Sequence, residues 1–119
     1  MQKEFVSYNT ALALKELGFN EPCFGKYDIY GSFDHKLFYH NHDSETSLNC
    51  SAPTFSQALK WFREKGYDVK VQKESEGLYF GFYWTGAAWI IVGNGTYEEA
   101  EQACLNKLIE IVKDDNTSN

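Results

Sequence analysis

The sequence predicts an α+β fold: a mainly antiparallel sheet with three helices, in the order α-β-β-α-β-β-β-α. Three observations predict it. Ser7-Tyr8, Thr54-Phe55 and Thr96-Tyr97 each set a hydroxyl before an aromatic residue at the head of an amphipathic stretch, and a hydroxyl is a preferred helix N-cap. Between these starts lie short segments rich in aromatic and β-branched residues, the composition of strands. The last three of those segments are joined by connections too short for parallel crossovers, which leaves antiparallel pairing. The 119 residues suit one domain, expected over residues 1–113, with a polar tail at 114–119.

The first helix is expected over residues 8–17, with Ser7 as cap and Gly18 as stop. Two aromatic strands, 24–30 and 37–40, follow with a turn near 32–35. Residues 41–53 are polar and read as a loop. The second helix, 55–65, turns Phe55, Ala58, Leu59 and Phe62 inward and stops at Gly66. Gln57 lies three residues after Thr54 and is placed to complete a capping box. Val69 and Val71 alternate with lysines in a strand over 69–72. Strands 78–84 and 89–92 meet through Thr85-Gly86-Ala87-Ala88. The last helix, 97–113, repeats Tyr97, Ala100, Cys104, Leu108 and Ile111 at helical spacing, with Leu105, Ile109 and Val112 widening the stripe, and Glu99 completes the box with Thr96. Lys15-Glu16-Leu17-Gly18-Phe19 and Arg63-Glu64-Lys65-Gly66-Tyr67 echo one another, which shared helix-ending chemistry explains better than duplication.

The hairpin carries a face prediction. If Gly86-Ala87 is a two-residue turn, Gly86 supplies its positive φ. Trp84 then faces Trp89, and Phe82 faces Ile91; these four are expected on the core face. Tyr79, Tyr83, Ile90 and Val92 fall on the other face, which is more apolar than a wet face needs. That face is either covered by a helix or used for binding.

Composition excludes several function classes. Eleven basic against seventeen acidic residues give a net charge of −6. Arg63 is the only arginine, and phosphate and guanine readout lean on arginine. Lys60, Arg63, Lys65, Lys70 and Lys73 form one basic cluster, which fits a solvated helix side and strand better than a nucleic-acid site. Cys23, Cys50 and Cys104 are odd in number and widely spaced, which suits free thiols in a reducing compartment. No apolar run is long enough to cross a bilayer. A cytoplasmic chain without membrane contact is expected.

The segment 34–43 holds every histidine. His40 and His42 are two apart, so on a strand they share a side. With His35 or Asp43 they would make a three-ligand set for zinc, and a metal-dependent hydrolase would follow. The spacing matches no specific motif, and an exposed hairpin end collects the same residues. Cys50, in the polar loop near His40 and His42, is the one nucleophile with expected access, though nothing fixes its geometry. Gly93-Asn94-Gly95-Thr96 opens a helix as an anion site would, but Glu98, Glu99 and Glu101 stand there and repel phosphate.

Residues 54–113, with the α-β-β-β-α order and the Gly93-x-Gly95-Thr96 entry, resemble a double-stranded-RNA-binding domain. That family binds phosphates through lysines at the start of its last helix. Glu98, Glu99 and Glu101 hold those places here, so the resemblance implies the shape without the RNA chemistry. Residues 78–113 are also similar to the antitoxin half of some toxin–antitoxin pairs. The whole chain looks most like small uncharacterised proteins of Bacteroides phages and mobile elements. The stretch from Ala11-Leu12-Ala13-Leu14 to Glu21-Pro22-Cys23, the Ala52-Pro53-Thr54-Phe55-x-Gln57-Ala58-x-x-Trp61-Phe62-Arg63-Glu64-Lys65 segment and the last helix carry that likeness. It implies a phage-related origin and no activity.

These readings lead to a non-enzymatic module that binds a protein partner or itself through the tyrosine-bearing sheet face (Tyr79, Tyr83, Ile90, Val92) or the acidic face of the last helix. No cofactor is expected. The alternatives are nucleic-acid binding by the Lys60, Arg63, Lys65, Lys70 and Lys73 cluster and a hydrolase at His35, His40 and His42.

Overall fold

The structure is a computed structural model that describes residues 4–40 and 50–117, with 35–40 and 117 described along the backbone alone. Its elements are α1 (Tyr8–Glu16), β1 (Cys23–Tyr27), β2 (Phe33–His40), β3 (Cys50–Ala52), α2 (Phe55–Glu64), β4 (Val69–Ser75), β5 (Leu78–Trp84), β6 (Trp89–Gly95) and α3 (Tyr97–Thr117). The α+β class and the order expected from the sequence stand, with β3 added inside the stretch read as a loop. The strands form two antiparallel three-stranded sheets, β2-β1-β3 and β4-β5-β6. The chain divides into two compact units, Met1–Gln57 and Ala58–Asn119, and the boundary falls within α2.

In the first unit, Ser7 caps α1 by accepting a hydrogen bond from the Thr10 N–H. The turn after β1 lies earlier than 32–35. The Asp28 carboxylate accepts from the N–H groups of Tyr30 and Ser32, an Asx turn that reverses the chain by Ser32, so β2 begins at Phe33. The Tyr27 hydroxyl donates to the Val6 carbonyl at 2.8 Å. The rings of Phe5, Tyr8 and Phe33 lie against one another or against Tyr27 with centroids 5.1–5.4 Å apart. Phe5, Val6, Ala11, Leu14, Phe19, Cys23, Tyr27, Cys50 and Ala52 are buried.

The echoed segments prove to be two copies of one helix ending. Gly18 and Gly66 take φ values of +98° and +97°. The Phe19 N–H donates to the Leu14 carbonyl, as the Tyr67 N–H donates to that of Phe62. Gly18 N–H reaches Lys15 and Gly66 N–H reaches Arg63 in the same way. This is the Schellman pattern, in which a left-handed residue lets two N–H groups fold back on the last turn.

In the second unit, β4, β5 and β6 form a simple meander and α3 packs across it. The capping box at α3 closes: Glu99 N–H donates to the Thr96 hydroxyl and Thr96 N–H to the Glu99 carboxylate. The box expected at α2 is half made. Thr54 accepts from the Gln57 N–H, but the Gln57 amide donates to the Pro22 carbonyl at 2.9 Å instead of turning back. The last helix runs past Lys113 to Thr117, and the Tyr67 hydroxyl donates to the Asp115 carboxylate at 2.8 Å on that added turn. Strands β4 and β6 also extend beyond their expected ends, to Ser75 and Gly95.

Candidate functional site

The β5–β6 hairpin has the expected register. Thr85 N–H donates to the Ala88 carbonyl and Gly86 has φ +98°, so Gly86-Ala87 is the two-residue turn. Trp84 faces Trp89, Tyr83 faces Ile90 and Phe82 faces Ile91. A bulge follows, and Gly81 then pairs with Gly93.

Alternation along β5 puts Tyr79, Gly81 and Tyr83 on one face and Phe80, Phe82 and Trp84 on the other. Two glycines decide which face receives α3. A Cβ on Gly81 would stand 2.7 Å from the Ala100 carbonyl oxygen and 2.8 Å from the Cys104 sulfur; one on Gly93 would collide with the Ala103 side chain. The helix therefore descends onto the tyrosine face, where Gly81 and Gly93 lie side by side and small residues of α3 meet them. Tyr79 stands edge-on to Tyr97 with centroids 5.5 Å apart. Tyr79, Tyr83 and Val92 are half-buried, and Ile90, at the rim, is 41% exposed.

This corrects the expected core face. Trp84, Trp89, Phe82 and Ile91 lie on the face away from α3, with Trp89 40% and Ile91 56% exposed. Bulk does not mark the covered face here. The mark was smallness: a helix can approach a sheet closely only where side chains are missing. Gly81 on the tyrosine face, and Ala100, Ala103 and Cys104 on one helix stripe, were the available signal; Gly93 joins Gly81 only through the bulge.

The outer face is an aromatic ledge with one cation on it. The Trp84 and Trp89 rings are 5.3 Å apart, and Phe80 and Phe82 are 6.3 Å apart along β5. The Lys70 ammonium lies 4.5 Å from the Trp89 ring centre and 5.2 Å from that of Phe82, within range of cation–π attraction. Ile91 completes the ledge on β6.

The other candidates are placed as follows. The basic residues serve different neighbours. Lys60 and Arg63 are exposed on α2, Lys65 lies 4.6 Å from the Trp61 ring centre, and Lys73 pairs with Glu76 at 2.8 Å. Of the proposed metal ligands, His42 lies outside the described residues, as does Asp43. His35 and His40 are placed as strand positions opposite Gly25 and Cys23. Among the described residues no group of three His, Cys, Asp or Glu is gathered to hold a metal ion.

Cys50 is not the accessible loop nucleophile expected. It begins β3 at 1% exposure, and burial raises its pKa. Cys23 is pushed up to about 12, first by burial and then by the nearby Glu21 charge. Burial pushes Cys104 up to about 11. All three are neutral thiols at physiological pH, and the thiolate is the reactive form. The anion site considered at the start of α3 is filled from within: the Glu99 carboxylate takes the Thr96 N–H at 2.9 Å.

Among the described residues no helix is long and apolar enough to cross a membrane. Comparison with known protein families, with curated proteins and with solved structures finds no match to this chain.

Proposed function

We propose that the chain is a non-enzymatic protein-interaction module, of the phage or mobile-element origin its sequence resembles, and that it binds through the outer face of the β4-β5-β6 sheet. One observation carries the reading: Trp89 and Ile91 are exposed beside Trp84 and Phe82 on a face turned away from α3. Tryptophan anchors ringed by aliphatic side chains are the residues that dominate protein interfaces. The described thiols are buried and protonated, which speaks against cysteine nucleophiles.

The test compares capture from a bacterial lysate by the wild-type protein, by a Lys70→Glu, Trp84→Ala variant and by a Tyr30→Ala control. Tyr30 is 85% exposed in the first unit. The expected result is a defined set of proteins lost with the double variant and kept with the control. Identical sets from all three overturn the reading.

A second reading is favoured by Lys70 itself. An ammonium above aromatic rings on an open sheet resembles the stacking platforms that bind single-stranded nucleic acid. That reading requires a mobility shift with single-stranded probes at low salt that weakens steeply as salt rises. The net charge of −6 opposes it.

A further inference from the structure

We infer that β6 pairs edge to edge with β6 of a second copy, antiparallel about a twofold axis that passes between the two Ile90 residues. The inference rests on the protein-interaction reading and names one partner for it.

Strand β6 is an edge of its sheet. Its outward hydrogen-bonding groups follow from the ladder. Thr85 and Ala88 bond to each other, and the Trp84 N–H points away to the Asp68 carbonyl on the β4 side. Antiparallel pairs alternate between bonded and non-bonded. Trp84/Trp89 and Phe82/Ile91 are therefore non-bonded pairs, and Trp89 and Ile91 turn their N–H and C=O groups to the open edge. Ile90 turns its own inward, to Tyr83.

A second copy fits this edge in one register that uses all three residues. Trp89 of each copy exchanges two hydrogen bonds with Ile91 of the other, four bonds in all. Ile90 meets Ile90 as a non-bonded pair, the geometry with the closer side chains. The exposed residues Trp89, Ile90 and Ile91 then cover one another. Beyond Ile91 the bulge before Gly93 breaks the ladder and fixes its length.

The strand itself sets no charge against a second copy. Residues 77–97 contain no Asp, Glu, Lys or Arg, although 24% of the chain is charged. A second copy meets no charged residue of the strand itself; the Lys70 ammonium near this edge is held over the Trp89 ring on the outer face. The uncharged tip, 85–88, of each copy lies toward the uncharged 93–95 of the other. A strand end without charges also lacks the usual guard against such pairing. The contact is smaller than the ~1,200 Å² at the low end of standard interfaces, so the copies exchange and the dimer grows with concentration.

The test is disulfide trapping. The native thiols are buried, so an introduced surface cysteine reports alone. Ile90→Cys is expected to form a covalent dimer under mild oxidation at least tenfold faster than Trp89→Cys or Ile91→Cys, whose twins are offset by the register. In sedimentation velocity the wild-type protein shifts toward dimer with rising concentration, and Ile90→Lys stays monomeric. Equal trapping at the three positions, or a wild-type protein that stays monomeric at millimolar concentration, overturns the inference. Ile90→Lys leaves Lys70 and Trp84 untouched, so partner capture that survives it separates failure of the dimer from failure of the outer-face reading.

Discussion

Replacing Gly81 by alanine adds one methyl group where α3 comes nearest the sheet, and the sign of its effect reports which face the helix covers. The added Cβ would lie 2.7 Å from the Ala100 carbonyl oxygen and 2.8 Å from the Cys104 sulfur, where ordinary contact begins near 3.4 Å. One neighbour is backbone, so α3 itself must retreat by about 0.7 Å, the difference between those distances. A gap of that size forfeits a quarter to a half of each dispersion contact it opens, and overpacking of this kind costs about 1–3 kcal/mol. Alanine recovers about 0.5–1 kcal/mol of the strand entropy glycine loses. The net expectation is a loss of about 0–2.5 kcal/mol, centred near 1 kcal/mol, where the melting temperature falls by roughly 4 °C for a chain of this length. On an uncovered face the same substitution would stabilise the protein. Urea unfolding followed by tryptophan fluorescence is the assay, since Trp61, Trp84 and Trp89 all lie in 58–119. Adding Cys104→Ala removes one of the two close partners, so the double variant should lose less than the sum of the singles. A stabilising Gly81→Ala refutes the argument.

Four further outcomes are expected. A thiol reagent at pH 8 should label none of Cys23, Cys50 and Cys104 in the folded protein and all three in urea; fast labelling of any one in the native state contradicts its burial. Because burial holds these thiols above their unfolded pKa, their contribution is whole below about pH 9 and is lost as pH rises toward the folded values of about 11 and 12 for Cys104 and Cys23; denaturant midpoints should therefore fall between pH 9 and 11 and fall less in Cys104→Ala. Thr96→Ala opens the α3 capping box and should cost about 1 kcal/mol, read from the same urea curves, whereas Tyr67→Phe should leave the midpoint within about 1 kcal/mol and instead speed hydrogen exchange over residues 114–117.

Helix ends were legible because their chemistry is local. Ser7, Thr54 and Thr96 bond to N–H groups three residues on, and Gly18 and Gly66 close their helices by bonds within one turn. The hairpin register was legible for the same reason: Gly86 determines the turn, and the turn determines that Trp84 meets Trp89. What was not legible depended on partners far away in sequence. Gln57 turns to Pro22, thirty-five residues distant. The added turn of α3 holds Asp115, which Tyr67 reaches from forty-eight residues away. Strand β3 at Cys50–Ala52 exists by pairing with β1, and its Cys-Ser-Ala composition says nothing of a strand. The candidate surface failed in an instructive way. Alternation sorted Tyr79 from Phe82 and Ile90 from Ile91 without error, but alternation has no sign: it separates two faces and leaves open which one is inside. Gly81 and Gly93 break that symmetry, and they do so only in relation to Ala100, Ala103 and Cys104.

The two margins of the second sheet are unequal. Along β4 the chain sets Lys73 and Glu74, charges that a neighbouring strand would have to strip of water before it could bond there, while the Lys70 ammonium reaches across the sheet to the Trp89 ring. No residue of β6 itself is charged. A protein with two adhesive margins polymerises, because each added copy offers a fresh one. A sheet with one consumes it in the first encounter, and the proposed twofold pairing leaves only the charged β4 margins of this sheet facing outward. The bulge before Gly93 and the lysines of β4 together make any assembly through this sheet finite, with two copies as its natural end.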